Sequence, residues 1–324
     1  MRNSWLDQIG NTPLVPLTHL FSNTRGITVF GKLELMNPSG SAKDRPALRI
    51  VRQAMAKGLI RSGSVVIESS SGNMAISLAA ICSFLGMRFI SVIDPRTAAQ
   101  NIAIMKAYGA DVSYVDSPDP ETGEFLPARL TRVRELLESL PGSYWPNQYG
   151  NENNYLSHYY GTMPEIANAL DKVDFIAGGV STCGTMLGCS RYIKDHALQC
   201  KVIAVDAVGS VIFGGGKGPR RFPGLGAGIV PPFGEERFMD YAVNVTDLDM
   251  AAACRELAEK ESILAGPSSG AVISAMQAMM DRIPDGSTCV VILHDRGERY
   301  MDTVFDDNWM REQFGKTLET GSET

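Results

Sequence analysis

Short β-branched runs alternate with helical stretches along nearly the whole of this 324-residue chain, and no other feature narrows its fold as much. Strands are predicted at residues 29–34, 65–68, 89–93, 111–115, 174–177, 202–206 and 289–293. Helical periodicity covers residues 47–57, 73–85, 97–108, 128–140, 155–170, 185–196, 247–260 and 269–281. Such alternation predicts an α/β fold of mainly parallel sheets with helices on both faces. Ligands of these folds bind beyond the carboxyl ends of the strands, so the turns into the helices are where function is sought.

Three turns carry chemistry. Lys43 stands in Pro38-Ser39-Gly40-Ser41-Ala42-Lys43-Asp44-Arg45-Pro46, where small residues run into a helix. Ser69-Ser70-Ser71-Gly72-Asn73 opens a second helix, and Ser181-Thr182-Cys183-Gly184-Thr185 a third. Each has a plain alternative: a solvated loop lysine, a common helix cap, a simple connection. Their order, each after a predicted strand, raises the joint reading above its parts. A lysine amine and anion-friendly turns are what an aldehyde cofactor bearing a phosphate requires, and pyridoxal 5'-phosphate is that cofactor.

The formal charge of −6 argues against nucleic acid as a main partner. No apolar run is long enough for a membrane span, and the first residues lack an apolar signal core, so a cytoplasmic address is expected. The six cysteines, Cys82, Cys183, Cys189, Cys200, Cys254 and Cys289, include no C-x-x-C pair; neither a metal site nor a disulfide framework is expected. Cys183 reads as a small space-filler rather than a nucleophile. His158 and His294 read as structural, His19 and His196 as surface residues. Residues 117–126 and 209–232 form long loops of the kind that shape a site or move over one, or simply connect. Lys217, Arg220 and Arg221 in the second read as surface charges, unless movement of the loop brings one inward.

Several motifs together resemble a family. Asn11-Thr12-Pro13-Leu14, Lys32-Leu33-Glu34, the stretch from Asn37 to Arg45 and Ser71-Gly72-Asn73 are similar to the cysteine synthase and cystathionine β-synthase group of fold-type II pyridoxal-phosphate enzymes. So are Gly161-Thr162 with Pro164-Glu165-Ile166, Gly224-Leu225-Gly226-Ala227-Gly228 and Gly266-Pro267-Ser268-Ser269-Gly270-Ala271. The likeness runs from Ile9 to about Trp309. It implies a tryptophan synthase β-like fold with two domains: a smaller one over 45–153, and a larger, cofactor-binding one from 1–44 plus 154–310. Residues 311–324 would be a flexible tail.

The resemblance also implies roles. Lys43 would form the Schiff base, Asn73 would meet the ring hydroxyl, and Ser181, Thr182, Cys183, Gly184 and Thr185 would cup the phosphate. Ser268 would face the pyridine nitrogen; a neutral hydroxyl there makes the ring a weaker electron sink and favours β-elimination over transamination. Ser70, Ser71, Met74 and Gln148 would line the substrate site, with Ser70, Ser71, Asn73 and Gln148 at the α-carboxylate. The implied reaction is a ping-pong β-replacement through an aminoacrylate, with the freed Lys43 amine as base for the α-proton.

Departures from cysteine synthase decide the expected substrate. Here the sequence has Ser70-Ser71-Gly72-Asn73-Met74-Ala75, Ser181 and Cys183 in place of glycines, and Tyr149 beside Gln148. These features resemble the N-(2-amino-2-carboxyethyl)-L-glutamate synthases of 2,3-diaminopropionate biosynthesis. That branch joins O-phospho-L-serine to L-glutamate and passes the product to an NAD-dependent dehydrogenase, toward siderophores and peptide antibiotics. The alternative is a cysteine synthase using O-acetylserine or O-phosphoserine with sulfide. A phosphate leaving group and a dicarboxylate nucleophile need cations and donors. Arg129 is the candidate cation, with a solvated helix arginine as the equal alternative at this stage; Tyr149 and Ser181 are candidate donors. A homodimer is expected from the family.

Overall fold

All seven predicted strands form, and two more join them among the described residues. The computed structural model describes residues 4–22 and 25–315. In chain order the strands are β1 (Leu14–Pro16), β2 (Thr28–Leu33), β3 (Val65–Ser69), β4 (Arg88–Ile93), β5 (Asp111–Tyr114), β6 (Phe175–Gly179), β7 (Lys201–Ala207), β8 (Tyr241–Val245) and β9 (Thr288–Leu293). The α-helices are α1 (Asp44–Ala56), α2 (Asn73–Phe84), α3 (Ala99–Ala107), α4 (Phe125–Ser139), α5 (Asn153–Ser157), α6 (Met163–Ala169), α7 (Gly184–Asp195), α8 (Asp247–Glu261), α9 (Pro267–Met279) and α10 (Asp307–Phe314). They divide into two compact units: residues 4–9 with Lys43–Asn154, and Gly10–Ala42 with residues 155–315.

In the first unit β3, β4 and β5 form a parallel sheet in that order, with Val65 opposite Arg88 and Ile90 opposite Asp111. One face is buried with α1 and α2 in a core that includes Ile50, Val51, Ile76, Leu78 and Phe89. The other is covered by α4 through Ile67, Val92 and Val133. Both faces being covered explains the unbroken apolar run Val65-Val66-Ile67, since a parallel strand buried on both sides does not alternate. Tyr144 adds a single bridge beside β3, donating its N–H to the Val65 carbonyl at 2.8 Å and accepting from Ile67 at 2.9 Å. Residues 4–9 belong to this unit and not, as expected from the family, to the other. Leu6 is buried in its core, and Trp5 lies 6.0 Å from the Phe84 ring.

The second unit holds a six-stranded sheet of order β1-β2-β9-β6-β7-β8, parallel except for β1. A core with Val29, Val205, Leu257, Val272 and Met276 packs α8 and α9 on one face, and Met163, Ile166, Met186 and Leu187 bring α6 and α7 to the other. The helix predicted over 155–170 contains a π-helical turn, His158–Thr162, between α5 and α6. There Gly188 of α7 comes so close to the Tyr155 carbonyl and His158 that no side chain would fit.

The expected tail is corrected in part. Residues 311–314 complete α10, which Asp306 caps by accepting the Trp309 N–H at 2.7 Å, and Trp309 packs 5.5 Å from Phe222. Residues 316–324 lie outside the described residues. Among the described residues no helix is long and apolar enough to cross a membrane.

Candidate active site

The approach to Lys43 is built by a buried polar network in the second unit. Thr12 donates to Glu34 at 2.7 Å, Asn37 donates to the other Glu34 oxygen at 3.0 Å, and the Lys32 ammonium pairs with Glu165 at 2.7 Å. The motif residues Thr12, Lys32, Glu34, Asn37 and Glu165 are therefore structural. Beyond them Gly40 takes φ +89, with Arg299 and Arg296 against the place of a side chain. Ser41 bridges Asp295, and the Ala42 N–H donates to the His294 carbonyl at 2.8 Å. So fixed, the chain enters Lys43, the half-buried N-cap of α1.

Within the first unit, the α1 start is tied to α2: Ser77 donates to the buried Asp44 carboxylate at 2.6 Å. The turn between β3 and α2 is held by its carbonyls. Ser70 accepts from the Ser91 hydroxyl at 2.6 Å and Ser71 from the Asn101 amide at 3.1 Å. In a trans peptide the N–H opposes the carbonyl, so the Ser71 and Gly72 N–H groups point the other way. The Ser70 hydroxyl accepts the Ala75 N–H at 3.2 Å, capping α2. This turn has the donor set of a carboxylate receptor.

Arg129 is not a solvated helix arginine. Its side chain is 12% exposed, and its Nη1 lies 3.4 Å from Asp94 and 3.5 Å from the Ser71 hydroxyl. Its Nε is buried with no protein partner. A cation thus stands beside the turn that opens α2. Gln148 is buried and Tyr149 half-buried, close to one another in sequence and in the same unit. Met74 is only 2% exposed, and its side chain belongs to the apolar core with Ile76 and Phe89.

Glu68, unnoticed in the sequence, lies at the carboxyl end of β3. One oxygen accepts from the Ser69 N–H at 2.8 Å and the Trp145 indole at 3.0 Å; the other accepts from the Gln148 N–H at 3.1 Å. Burial pushes its carboxyl up to about 7, against the opposing pull of those donors. A carboxylate ending a Val-Val-Ile run was the signal available in the sequence.

In the second unit the predicted cup lies between β6 and α7. Cys183 caps α7 in the left-handed region at φ 65, a geometry that suits glycine. It is buried, and that burial, with Asp206 nearby, pushes its thiol up to about 12; the thiol form persists and no nucleophile is made. Thr182 accepts the Gly184 N–H at 3.4 Å, and Thr185 is bonded to the buried His158 ring at 3.2 Å. His158 bonds Thr162 through its other nitrogen at 2.9 Å, so the π turn braces the first turn of α7. Ser181 turns its hydroxyl to the Gly226 carbonyl at 3.1 Å. Arg220, Ser210 and Asp206 stand against the place of a side chain on Gly226, and the Arg220 Nη1 is buried, so of the three loop cations Arg220 faces inward. The N-terminus of α7 with the Thr182 and Thr185 hydroxyls fits a phosphate.

Ser268, in the first turn of α9, donates to Asp295 at 3.3 Å, a long bond that a rotating hydroxyl gives up readily. Asp295 also accepts from Tyr300 at 2.7 Å, and burial with that carboxylate raises the Tyr300 phenol well above its ordinary value. His294 Nε2 accepts the Gly179 N–H at 2.8 Å, an arrangement that requires this nitrogen unprotonated. Both histidines are structural in place. Lys43, Ser70, Ser71, Asn73, Arg129 and Gln148 lie in the first unit, and Ser181 to Thr185 with Ser268 in the second.

The chain is similar to known proteins over nearly its whole length. It is 47% identical over 308 residues to the N-(2-amino-2-carboxyethyl)-L-glutamate synthase of Ralstonia nicotianae, covering 95% of this chain and 90% of that protein. The crystal structure of O-ureido-L-serine synthase matches with a TM-score of 0.87 at 29% identity, covering 96% of this chain and 99% of the other. That of the O-acetylserine dependent cystathionine β-synthase from Helicobacter pylori matches at 0.85 and 31%, covering 94% and 98%. The family model described as pyridoxal-phosphate dependent enzyme matches residues 6–295. A lysine at a helix start, an anion-binding turn of hydroxyls and main-chain N–H groups, and this match over most of the length lead to one conclusion: the chain belongs to the pyridoxal-phosphate dependent enzyme family.

Proposed function

We propose that this enzyme joins O-phospho-L-serine and L-glutamate to give N-(2-amino-2-carboxyethyl)-L-glutamate and inorganic phosphate. The observation that carries this reading is the 47% identity to a synthase of that name across 95% of the chain. The half-buried cation Arg129 beside Ser71 supports it, because a phosphate leaving group needs a counter-charge that an acetate does not.

When bound, pyridoxal phosphate supplies the electron-withdrawing aldehyde and ring that stabilise negative charge at the substrate α-carbon. Lys43 would hold the aldehyde carbon through its Nζ, and the same Nζ, as a free amine, would take the substrate α-proton. Ser181, Thr182, Cys183, Gly184 and Thr185 would hold the cofactor phosphate, Asn73 its ring hydroxyl and Ser268 its pyridine nitrogen. Ser70, Ser71 and Gln148 hold the substrate α-carboxylate, and Arg129 balances the departing phosphate. Tyr149 and Ser181 offer hydroxyls to glutamate, whose amino nitrogen would form the new bond to the β-carbon in the second half-reaction and lose a proton, the bond from that carbon to the phosphate oxygen having broken, and inorganic phosphate left, in the first. Releasing 2,3-diaminopropionate from that product means cleaving the C–N bond to the glutamate α-carbon oxidatively, the task of a dehydrogenase acting next. Siderophore or peptide-antibiotic synthesis is the pathway proposed, and a homodimer the assembly.

The test is to mix the purified holoenzyme with O-phospho-L-serine, follow its visible absorbance, and then add L-glutamate or sulfide separately. Glutamate should restore the starting spectrum and yield the adduct by mass spectrometry. Restoration by sulfide and not by glutamate would replace this function with cysteine synthesis.

A further inference from the structure

Glu68 closes a clamp between two segments that the proposed substrate site needs at a set separation. On one side is the end of β3, which continues directly into Ser70-Ser71-Gly72. On the other is the stretch from Tyr144 to Gln148, laid beside β3 by the Tyr144 bridge. A bridge one residue long sets register but leaves the chain beyond it able to swing. The Glu68 carboxylate holds that chain: it takes Ser69 on its own strand, then Trp145 and Gln148 across the gap. Asn147 is in the left-handed region at φ 49, a conformation that turns successive N–H groups toward one anion. Asn154 then holds the Gln148 carbonyl at 2.7 Å, so that residue is fixed at both its N–H and its carbonyl.

We propose that Glu68 is a positioning residue for the first substrate: through the Gln148 main chain it sets the Gln148 side chain against the Ser70-Ser71 turn, so that the two together accept an α-carboxylate. The inference rests on the reading of Ser70, Ser71 and Gln148 as the carboxylate site. Glu68 is buried, and both of its carboxylate oxygens are taken by N–H groups of its own unit. Its carboxylate is the acceptor that all of these N–H groups require. An amide of the same shape would present N–H to N–H at Gln148 and release the segment.

Ping-pong kinetics separate the two half-reactions, so the test reads kcat/KM for each substrate in Glu68→Gln, Gln148→Ala and the double variant. Glu68→Gln should lower kcat/KM for O-phospho-L-serine about tenfold or more, with cofactor content and kcat/KM for L-glutamate kept. The double variant should be no worse than Gln148→Ala, because both changes act through one side chain. The proposal is overturned if Glu68→Gln matches the unaltered enzyme, if the two effects multiply, or if cofactor binding and both half-reactions fall together. If Gln148→Ala itself matches the unaltered enzyme, the carboxylate reading of the site has failed, and the proposal with it. Should Glu68→Gln not fold, Glu68→Asp, which keeps the acceptor but shortens its reach, must show the same selective loss.

Discussion

Arg129 Nη1 lies 3.4 Å from Asp94 Oδ2, and this one contact turns a helix arginine away from solvent and toward the turn that opens α2. Asp94 is itself 4% exposed and also accepts the Arg96 N–H at 2.9 Å, so it is a fixed anchor. Arg129→Ala should keep the cofactor yet lower kcat/KM for O-phospho-L-serine by roughly 10- to 100-fold, the worth of one or two charge-assisted hydrogen bonds. Use of O-acetyl-L-serine, where accepted, should not change. Steady-state kinetics with both substrates provide the measurement, and an equal loss on both would remove Arg129 from the phosphate.

The pH dependence of stability should carry the mark of Glu68. Its folded-state value of about 7 exceeds its ordinary 4.5, so between those values the folded protein binds the extra proton. Stability from this group is thus present in full below about 4.5 and lost as pH rises through about 7, an order of 3 kcal/mol. Tyr144, half-buried beside it, stays neutral across this window because its own phenol is raised by burial. Denaturant titrations between pH 4.5 and 8 should show this decline in the unaltered enzyme and a flatter profile in Glu68→Gln.

The Lys32–Glu165 pair predicts a different kind of loss. Lys32 is 2% exposed, and Glu165 also accepts the Asn11 N–H at 2.9 Å. Glu165→Ala leaves a buried ammonium without its counter-charge and should cost about 3–5 kcal/mol. Calorimetry should show the melting temperature fall by several degrees, and adding Lys32→Met should recover part of it.

Cys183 should be dispensable as a thiol. Cys183→Gly removes a side chain from a left-handed position, a relief of about 1–2 kcal/mol that offsets the lost packing. Stability within about 1 kcal/mol and retained turnover are expected. Alkylation at pH 8 should leave the folded enzyme active, because a thiol held near 12 is almost wholly protonated there.

Local features were legible in the sequence because their causes are local. The turns at Lys43, Asn73 and Ser181 are strand-to-helix junctions whose small residues and flanking periodicity sit within a few positions. Glu68 was not legible as a site residue, since a carboxylate ending a Val-Val-Ile run says nothing of its partner Gln148, 80 residues away. Asp295, which receives the Ser268 hydroxyl from 27 residues off, is similar. Strands β1 and β8 escaped detection for another reason. One is three residues long with a proline, and the other is a half-exposed edge strand whose pattern is weak. The family motifs at Thr12, Lys32 and Glu34 were visible as letters, but only the buried network shows that they carry structure and not chemistry.

The strand order of the larger sheet has a consequence for synthesis of the chain. β9 sits between β2 and β6, pairing Thr28 with Thr288 and Phe175 with Cys289. The first unit is complete in sequence by Asn154 and can fold while translation continues. The β1–β2 hairpin and the β6–β7–β8 group must instead wait as separate pieces, their inner edges open, until the ninth strand leaves the ribosome and joins them. A nascent chain stalled before Leu293 should therefore hold a finished first unit and an unfinished sheet whose open strand edges invite pairing with other chains.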